Sequence, residues 1–152
     1  MKVGILSDTH GLLRPEVLKH LSSCDLILHG GDINRPDIIS ALEELAPTHV
    51  VRGNNDKEWA EDLPSYEDIT LEDIHIYMTH KKKDLPEDLS GYDLVVTGHT
   101  HRYEEKVIGN TLFLNPGSCG PRKETQPITM AIAMISGDSM EIERIDIPHK
   151  KA

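Results

Sequence analysis

Cysteine, long apolar runs and positive charge are all scarce in this sequence, and each shortage argues against a class of protein. The two cysteines, Cys24 and Cys119, cannot form a multi-disulfide framework, so we interpret both as small packing residues in a reducing compartment. No apolar run approaches the ~20 residues of a membrane span. The apolar stretch after Lys2 ends at Ser7-Asp8, which is too early for a signal peptide. We therefore expect a cytoplasmic protein without a membrane partner.

Positive charge is in deficit, because 16 Lys and Arg stand against 26 Asp and Glu and give a formal net charge of -10. Without a basic face, the chain is not expected to bind an extended tract of nucleic acid. One basic run, Lys81-Lys82-Lys83, has two interpretations: a solvated loop, which we favour, or a site for substrate phosphate. If the substrate is a phosphate ester, a metal ion is the other source of positive charge.

The length of 152 residues suits one compact domain, predicted to cover residues 1–152. Apolar runs alternate with amphipathic stretches in the first half, a β-α-β-α-β pattern typical of a parallel sheet. The second half is richer in strands and ends in a hairpin, so the predicted fold class is mixed α/β (α+β). The acidic stretch Glu58 to Glu72 is interpreted as a surface excursion that can lie over the site. The predicted strands are Val3 to Leu6, Leu26 to Leu28, Val50-Val51, Ile74 to Met78, Leu94 to Val96, Leu112 to Leu114, Ile128 to Ile135 and Met140 to Ile147, and the predicted helices are Arg14 to Leu21 and Pro36 to Leu45.

Polar side chains follow five of the predicted strands at the point where each strand ends. Because the carboxyl ends of parallel strands share one edge of an α/β sheet, these side chains can converge there. Burying them unpaired would cost several kcal/mol, whereas a divalent ion compensates carboxylates and imidazoles directly. Mixed oxygen and nitrogen ligands suit Zn, Mn, Fe, Co or Ni better than Mg or Ca. The candidate ligands are Asp8, His10, Asp32, Asn54, His80, His99 and His101.

These seven candidates exceed what one ion needs, which favours two ions that share a carboxylate. Two-metal sites with ions ~3.5–4 Å apart serve in-line displacement at phosphorus, so the sequence predicts phosphoester hydrolysis. Gly31, Gly53 and Gly98 each precede a candidate ligand. They either allow tight turns and a close approach of the backbone or are ordinary loop glycines. Each motif alone occurs by chance, and only the ordered set is specific.

The candidate ligands lie in five short motifs, namely Asp8-Thr9-His10, Gly31-Asp32, Gly53-Asn54-Asn55-Asp56, Thr79-His80 and Gly98-His99-Thr100-His101. This series resembles the calcineurin-like metallophosphoesterase superfamily. Asn115-Pro116-Gly117-Ser118 and the short length make the chain similar to the compact YfcE-like phosphodiesterase branch. The resemblance runs from Asp8 to Ser118 and implies a two-sheet β-sandwich flanked by helices, the four-layer metallophosphoesterase fold.

The resemblance also implies a dinuclear centre with two divalent ions, for which Mn²⁺ is expected and Ni²⁺, Zn²⁺, Fe²⁺ or Co²⁺ are alternatives. A hydroxide held between the ions would attack phosphorus in line, and Asp32, Asn54 and His99 would act catalytically through it. No protein nucleophile is then needed. The implied ligands are Asp8, His10 and His101 for the first ion, Asn54, His80 and His99 for the second, and Asp32 as the bridge.

Asn55 departs from the superfamily pattern, in which many members carry a histidine at this general-acid position. A carboxamide has no such proton for the leaving oxygen, which puts leaving-group assistance in doubt. The compact branch also lacks that histidine, and the implied bias is toward phosphodiesters with good leaving groups. Lys81 departs too, since relatives usually have glycine there. His29 is interpreted as orienting Asp32, and Asn115 to Ser118 as either a rigid turn or a support of the site.

The predicted function is that of a metal-dependent phosphodiesterase, a phosphoric ester hydrolase acting on a small phosphodiester. The alternative is a catalytically silent interaction scaffold, as in a eukaryotic retromer subunit that resembles this branch. Such scaffolds tend to have replaced ligand histidines, whereas all four are present here; a large exposed apolar patch far from the metal edge would favour a scaffold. A metallo-β-lactamase-type hydrolase is disfavoured, because its His-x-His-x-Asp-His run does not occur. The natural substrate and the oligomeric state are not predicted.

Overall fold

The fold, taken from a computed structural model that describes residues 1–123 and 125–148, consists of two facing five-stranded sheets and two α-helices. The two-sheet β-sandwich with helices is thereby confirmed. The strands are β1 (Lys2–Leu6), β2 (Leu26–His29), β3 (Thr48–Val50), β4 (Tyr66–Leu71), β5 (Ile74–Thr79), β6 (Leu94–Val96), β7 (Tyr103–Ile108), β8 (Thr111–Pro116), β9 (Ile128–Ser136) and β10 (Ser139–Ile147), and the α-helices are α1 (Pro15–Leu21) and α2 (Pro36–Leu45).

The first sheet has the order β10-β9-β1-β2-β3. Its strands β1, β2 and β3 are parallel, as the alternating pattern predicts, and β9 and β10 form the predicted antiparallel hairpin. Leu6 is level with His29, and His29 is level with Val50. The carboxyl ends of the three parallel strands therefore lie side by side.

The second sheet has the order β4-β5-β6-β8-β7. Its central strands β5, β6 and β8 are parallel, and β4 and β7 are antiparallel edge strands. The polar strand ends thus belong to two sheets rather than to one edge of a single sheet. The interpretation of Glu58 to Glu72 as a surface excursion is wrong for Tyr66–Leu71, which pairs with β5; only a short 3-10 turn, Glu58–Ala60, and the residues around it form a loop.

Two apolar layers hold these elements together. Between the sheets, Val3 and Ile5 of the first sheet share a core with Ile76, Met78 and Val96 of the second. On the opposite face of the first sheet, both α-helices pack through buried residues that include Val17, Leu21, Ile38 and Leu42. Each helix begins with proline, whose fixed φ suits the first turn.

The outer face of the second sheet carries aromatic side chains. Tyr92 stacks on His75 with ring centroids 4.1 Å apart and meets the edge of Tyr77 at 5.4 Å. The segment after β5 therefore covers part of this face. Cys24 and Cys119 are buried free thiols. Within residues 1–123 and 125–148, no helix has the length and apolar character needed to cross a membrane.

Candidate metal centre

Asp8 lies two residues after the end of β1, and only one of its two carboxylate oxygens accepts hydrogen bonds from the described residues. Its Oδ2 atom accepts hydrogen bonds from Ser7 Oγ at 2.7 Å and from the backbone N–H of His99 at 3.0 Å. The side chain is fully buried. Oδ1 is also buried and has no hydrogen-bond partner among the described residues. An unpaired carboxylate oxygen at such depth is costly unless a cation faces it.

Three imidazole nitrogens face this Oδ1 atom. The Nε2 atoms of His101, His10 and His80 lie 3.4, 3.7 and 3.9 Å from it. Burial raises the pKa of Asp8, but its contacts with His10 and His101 lower it by more, so the carboxyl stays ionised well below its usual range. The contact with Asp8 in turn raises the pKa of His10. The site therefore attracts positive charge, whether a proton or a metal ion.

Asp32 lies between two of these histidines. Its Oδ2 atom is 3.2 Å from His80 Nε2 and 3.7 Å from His10 Nε2. Its Oδ1 atom accepts the backbone N–H of Asn55 at 2.8 Å. Burial raises the pKa of Asp32, but the contact with His80 and the Asn55 N–H lower it by more. Asp32 is thus an ionised group, and its Oδ2 atom faces both His80 and His10.

Asn54 completes the cluster on the far side of His80. Its Oδ1 atom lies 3.0 Å from His80 Nε2 and 3.1 Å from His99 Nδ1. His80 Nδ1 donates to the carbonyl of Gly30 at 2.7 Å, which directs Nε2 toward Asn54 and Asp32. Burial raises the cost of charging His99, and the nearby charges of His80 and Lys81 add to this, so the pKa of His99 is lowered.

All seven candidate ligands are brought together, although they lie far apart in the sequence. Two groups each place their donor atoms within 4.8 Å of one another. The groups adjoin, since His10 Nε2 of the first lies 3.7 Å from Asp32 Oδ2 of the second, and His80 Nε2 of the second lies 3.9 Å from Asp8 Oδ1 of the first. The mixed oxygen and nitrogen donors and the unpartnered Asp8 Oδ1 fit divalent transition-metal ions. The two groups are Asp8, His10 and His101, and Asp32, His80 and His99.

Most of the candidate ligands lie on strained backbone. Left-handed φ values are uncommon for residues other than glycine, and they cluster at functional sites where the surrounding structure holds them. The sequence shows no signal for this strain, because aspartate and histidine are common in ordinary loops. The ligands concerned are Asp8 (φ 56°), His10 (45°), Asp32 (58°), His99 (75°) and His101 (63°).

Asp56 holds the loop that carries Asp32, a role that the sequence analysis did not identify. Its Oδ1 atom accepts the backbone N–H groups of Ile33 at 2.8 Å and Asn34 at 2.7 Å. Its Oδ2 atom accepts those of Asp32 and Gly53, both at 2.9 Å. The side chain is buried. The position of Asp56 at the end of the Gly53-Asn54-Asn55-Asp56 motif could have marked it as a functional residue. The motif does not show, however, which backbone groups Asp56 contacts.

Two glycines allow the backbone to approach the carboxylates closely. A Cβ atom on Gly53 would overlap the backbone nitrogen and Oδ1 of Asp32, and one on Gly98 would overlap Ser7 Oγ and lie 2.8 Å from Asp8 Oδ2. Of the two interpretations given above, close approach is therefore confirmed at Gly53 and Gly98.

His29 supports the site without contacting Asp32. Its Nδ1 atom accepts the N–H of Gly31 at 3.0 Å, which leaves Nε2 to donate to Thr9 Oγ1, also at 3.0 Å. Complete burial lowers the pKa of His29 to about 4, so the ring is neutral at physiological pH. Its effect on Asp32 therefore passes through Gly31 and the adjoining chain.

The Asn115 to Ser118 segment supports the loops of the site in addition to forming a turn. Asn115 Nδ2 donates to the carbonyl of Gly98 and to Thr100 Oγ1, both at 3.0 Å. Ser118 Oγ donates to the carbonyl of Asp8 at 2.9 Å. The supporting interpretation of this segment is the one that these contacts favour.

His75 and His49 lie outside this cluster. His75 pairs with Asp68 on the outer face of the second sheet, its Nε2 atom 2.6 Å from the carboxylate. His49 lies 3.8 Å from Glu67. His149, interpreted from the sequence as a surface residue, lies outside the described residues.

Known proteins share this sequence pattern and this fold. Residues 1–138 match the sequence profile of the calcineurin-like phosphoesterase superfamily domain. A probable metallophosphoesterase from Methanothermobacter thermautotrophicus is 31% identical, with 95% of this chain and 92% of that protein aligned. An archaeal phosphodiesterase structure superposes with a TM-score of 0.79 at 25% identity, covering 97% of this chain and 100% of the other. Zinc-bound Vps29 from Entamoeba histolytica superposes with a TM-score of 0.75 at 26% identity, covering 96% and 99%.

The profile match covers every candidate ligand, and the solved structures repeat the two-sheet arrangement that brings those ligands together. The chain belongs to the calcineurin-like phosphoesterase superfamily.

Proposed function

We propose that this chain is a phosphodiesterase with a dinuclear metal centre. The observation that carries the proposal is the buried Asp8 Oδ1 atom, which has no hydrogen-bond partner among the described residues and faces three imidazole nitrogens at 3.4–3.9 Å. A divalent ion compensates such a cluster directly. The archaeal phosphodiesterase with the same fold supports the choice of phosphodiesters as substrates.

The proposed ligand sets follow the two groups of donor atoms. Asp32 is suited to bridge, because its Oδ2 atom lies beside one histidine of each set, His10 and His80. Asn54 joins the second set through its Oδ1 atom. Mn²⁺ is the expected metal, with Ni²⁺, Zn²⁺, Fe²⁺ and Co²⁺ as alternatives. The sets are Asp8, His10 and His101 for one ion, Asn54, His80 and His99 for the other, and Asp32 for both.

When bound, two such ions make water a usable nucleophile near neutral pH and offset charge on the phosphoryl oxygens. The chain's own residues prepare the site for that chemistry. Asp8 and Asp32 are held ionised, and His80 keeps its proton on Nδ1, hydrogen-bonded to Gly30. Backbone hydrogen bonds to Asp56 fix the loop that presents Asp32.

Asn55, at the general-acid position of the superfamily, is directed toward Asp32. Its Nδ2 atom donates to Asp32 Oδ2 at 3.3 Å. A carboxamide does not transfer a proton to a leaving oxygen at neutral pH, so the leaving group must depart as a stable anion. We therefore propose that aryl phosphodiesters and other diesters with good leaving groups are turned over fastest.

The test is to purify the protein, measure bound metal by mass spectrometry, and assay bis(4-nitrophenyl) phosphate with Mn²⁺, Ni²⁺, Zn²⁺, Fe²⁺ or Co²⁺ supplied separately. The proposal expects about two ions per chain and turnover that a chelator abolishes. The monoester 4-nitrophenyl phosphate serves as the control and should react more slowly. Protein that binds two ions and turns over neither ester would refute phosphodiesterase activity.

An interaction scaffold is the second candidate function. Val107 and Ile108 on β7 are 68% and 53% exposed, and they lie at the end of the strand away from His101. Two exposed apolar side chains on an edge strand are less than the large apolar patch that would favour a scaffold, which keeps this function second to the phosphodiesterase. The shared fold of this chain and zinc-bound Vps29 supports keeping the scaffold as the alternative. The same assay separates the candidates, since a scaffold would give no turnover with any metal.

A further inference from the structure

A cavity of about 270 Å³ opens beside the candidate metal centre. Two candidate ligands, His80 and Asn54, form one wall, so a molecule bound at the ions would have direct access to it. The rest of the cavity is lined by residues from the loop after β3 and from the turn after β5. These residues are Arg52, Gly53, Ser65, Lys81, Lys83 and Asp84.

The cavity wall is positive in a chain whose formal net charge is -10. Arg52, Lys81 and Lys83 line it, and Asp84 is the opposing carboxylate. The charge of Lys81 also acts on the site, because it contributes to the lowered pKa of His99. Because small anions are the ligands that three cations and one carboxylate favour, this wall has the character of an anion subsite.

Lys81 and Lys83 are available for such a ligand. Neither forms an ion pair or a side-chain hydrogen bond with any residue in 1–123 or 125–148. Lys82, between them, pairs through its Nζ atom with Glu104 at 3.1 Å, and it lines a neighbouring cavity beside His99 instead of this one. Arg52 already donates to the carbonyl of Asp56 at 3.0 Å, which fixes its position.

We propose that this cavity is a subsite for a second anionic group, a carboxylate or a phosphate, carried on one ester arm of the phosphodiester substrate. The proposal rests on the proposed function and narrows its substrate class. His80 and Asn54 would hold the reacting phosphate through an ion, while Lys81 and Lys83 receive the distal anion. The favoured interpretation of Lys81-Lys82-Lys83 as a solvated loop would then not hold for Lys81 and Lys83.

The test compares aryl diesters that differ only in the distal group. The substrates are 4-nitrophenyl propyl phosphate, its 2-carboxyethyl counterpart and its 2-phosphonoethyl counterpart. Because an exposed ion pair contributes up to about fivefold in binding, two lysines should give the anionic arms a roughly tenfold advantage in kcat/KM. The double variant Lys81→Gln/Lys83→Gln should reduce this ratio to about twofold or less, and the control Lys106→Gln, at an exposed lysine on β7, should keep it. Raising the salt concentration should weaken the preference.

A second measurement is independent of turnover. Calorimetry on the metal-loaded protein compares propylphosphonate with 3-phosphonopropionate, which adds a carboxylate. The wild type should bind the second ligand about tenfold more tightly, and the double variant should not. If neither ester reacts but this difference in binding persists, the hydrolysis proposal fails and the subsite stands. Equal ratios in wild type, Lys106→Gln and the double variant, in either measurement, would overturn the subsite. A preference for only one of the carboxylate and phosphonate arms identifies which anion the cavity takes.

Discussion

Replacing Asp56 with asparagine is the sharpest test of how the candidate metal centre is held in place. Asp56 accepts four backbone N–H groups, two on each oxygen. Asparagine keeps one acceptor oxygen and turns an NH₂ group toward the other two donors. Each lost hydrogen bond to a charged group contributes about 1.5–3 kcal/mol, so we expect Asp56→Asn to lower the free energy of unfolding by about 3–6 kcal/mol.

The assay is urea denaturation of the metal-free protein, followed by a metal titration of the folded variant. Because Asp56 holds the backbone of Asp32, metal affinity should fall along with stability. The matched control is Asp88→Asn, since Asp88 is an exposed carboxylate that accepts hydrogen bonds only from Ser90 in the described structure. Its effect should stay within about 0.5 kcal/mol. If both variants unfold at the same urea concentration and bind metal equally, the assigned role of Asp56 is wrong.

Three further changes test other parts of the structure. Asp32→Ala should lose more bound metal and more activity than Asn54→Ala, because Asp32 faces histidines of both groups, and equal losses would contradict its bridging position. Gly53→Ala should destabilise the fold by about 1–3 kcal/mol, since the new Cβ atom would overlap Asp32. A Cβ atom at Gly91 meets no atom within 4 Å, so Gly91→Ala should leave the stability unchanged. Thermal unfolding of the two variants tests the difference. The contact with Asp68 raises the pKa of His75 in the folded protein. This contact therefore stabilises the fold fully below the ordinary histidine pKa of ~6.5, and the stabilisation is lost as the pH rises through the higher pKa of the folded state. An NMR titration should show this raised pKa and its decrease in Asp68→Asn; no difference between the two proteins would refute the contact.

The sequence predicts the buried strands of this fold well and its edge strands poorly. Val3–Leu6 and Leu94–Val96 are apolar on both faces because both lie within sheets covered by neighbouring layers. Strands β4 and β7 were not predicted, since both lie at the edges of the second sheet, where β4 exposes three of its six residues and β7 exposes five of six. An edge strand needs few apolar side chains, so acidic sequences such as Tyr66–Leu71 give little signal of β-structure.

At the candidate site, the sequence predicts which residues are ligands but not how the backbone and its hydrogen bonds hold them. The seven candidate ligands were predicted from their positions at strand ends, and all seven converge in the structure. The strained backbone at His99 and His101 and the four hydrogen bonds of Asp56 could not be predicted. They depend on contacts between segments that are distant in the chain, which local residue preferences do not describe.

Both groups of candidate ligands take residues from the two sheets of the sandwich. His10, from the loop after β1, meets His101, which is 91 positions further along the chain and lies in the loop between β6 and β7 of the second sheet. An ion bound by either group would therefore cross-link the two sheets at this edge of the sandwich. The melting temperature of the protein should then rise with the concentration of free metal ion. If that concentration is not controlled, thermal unfolding curves would depend on it as much as on the packing of the polypeptide.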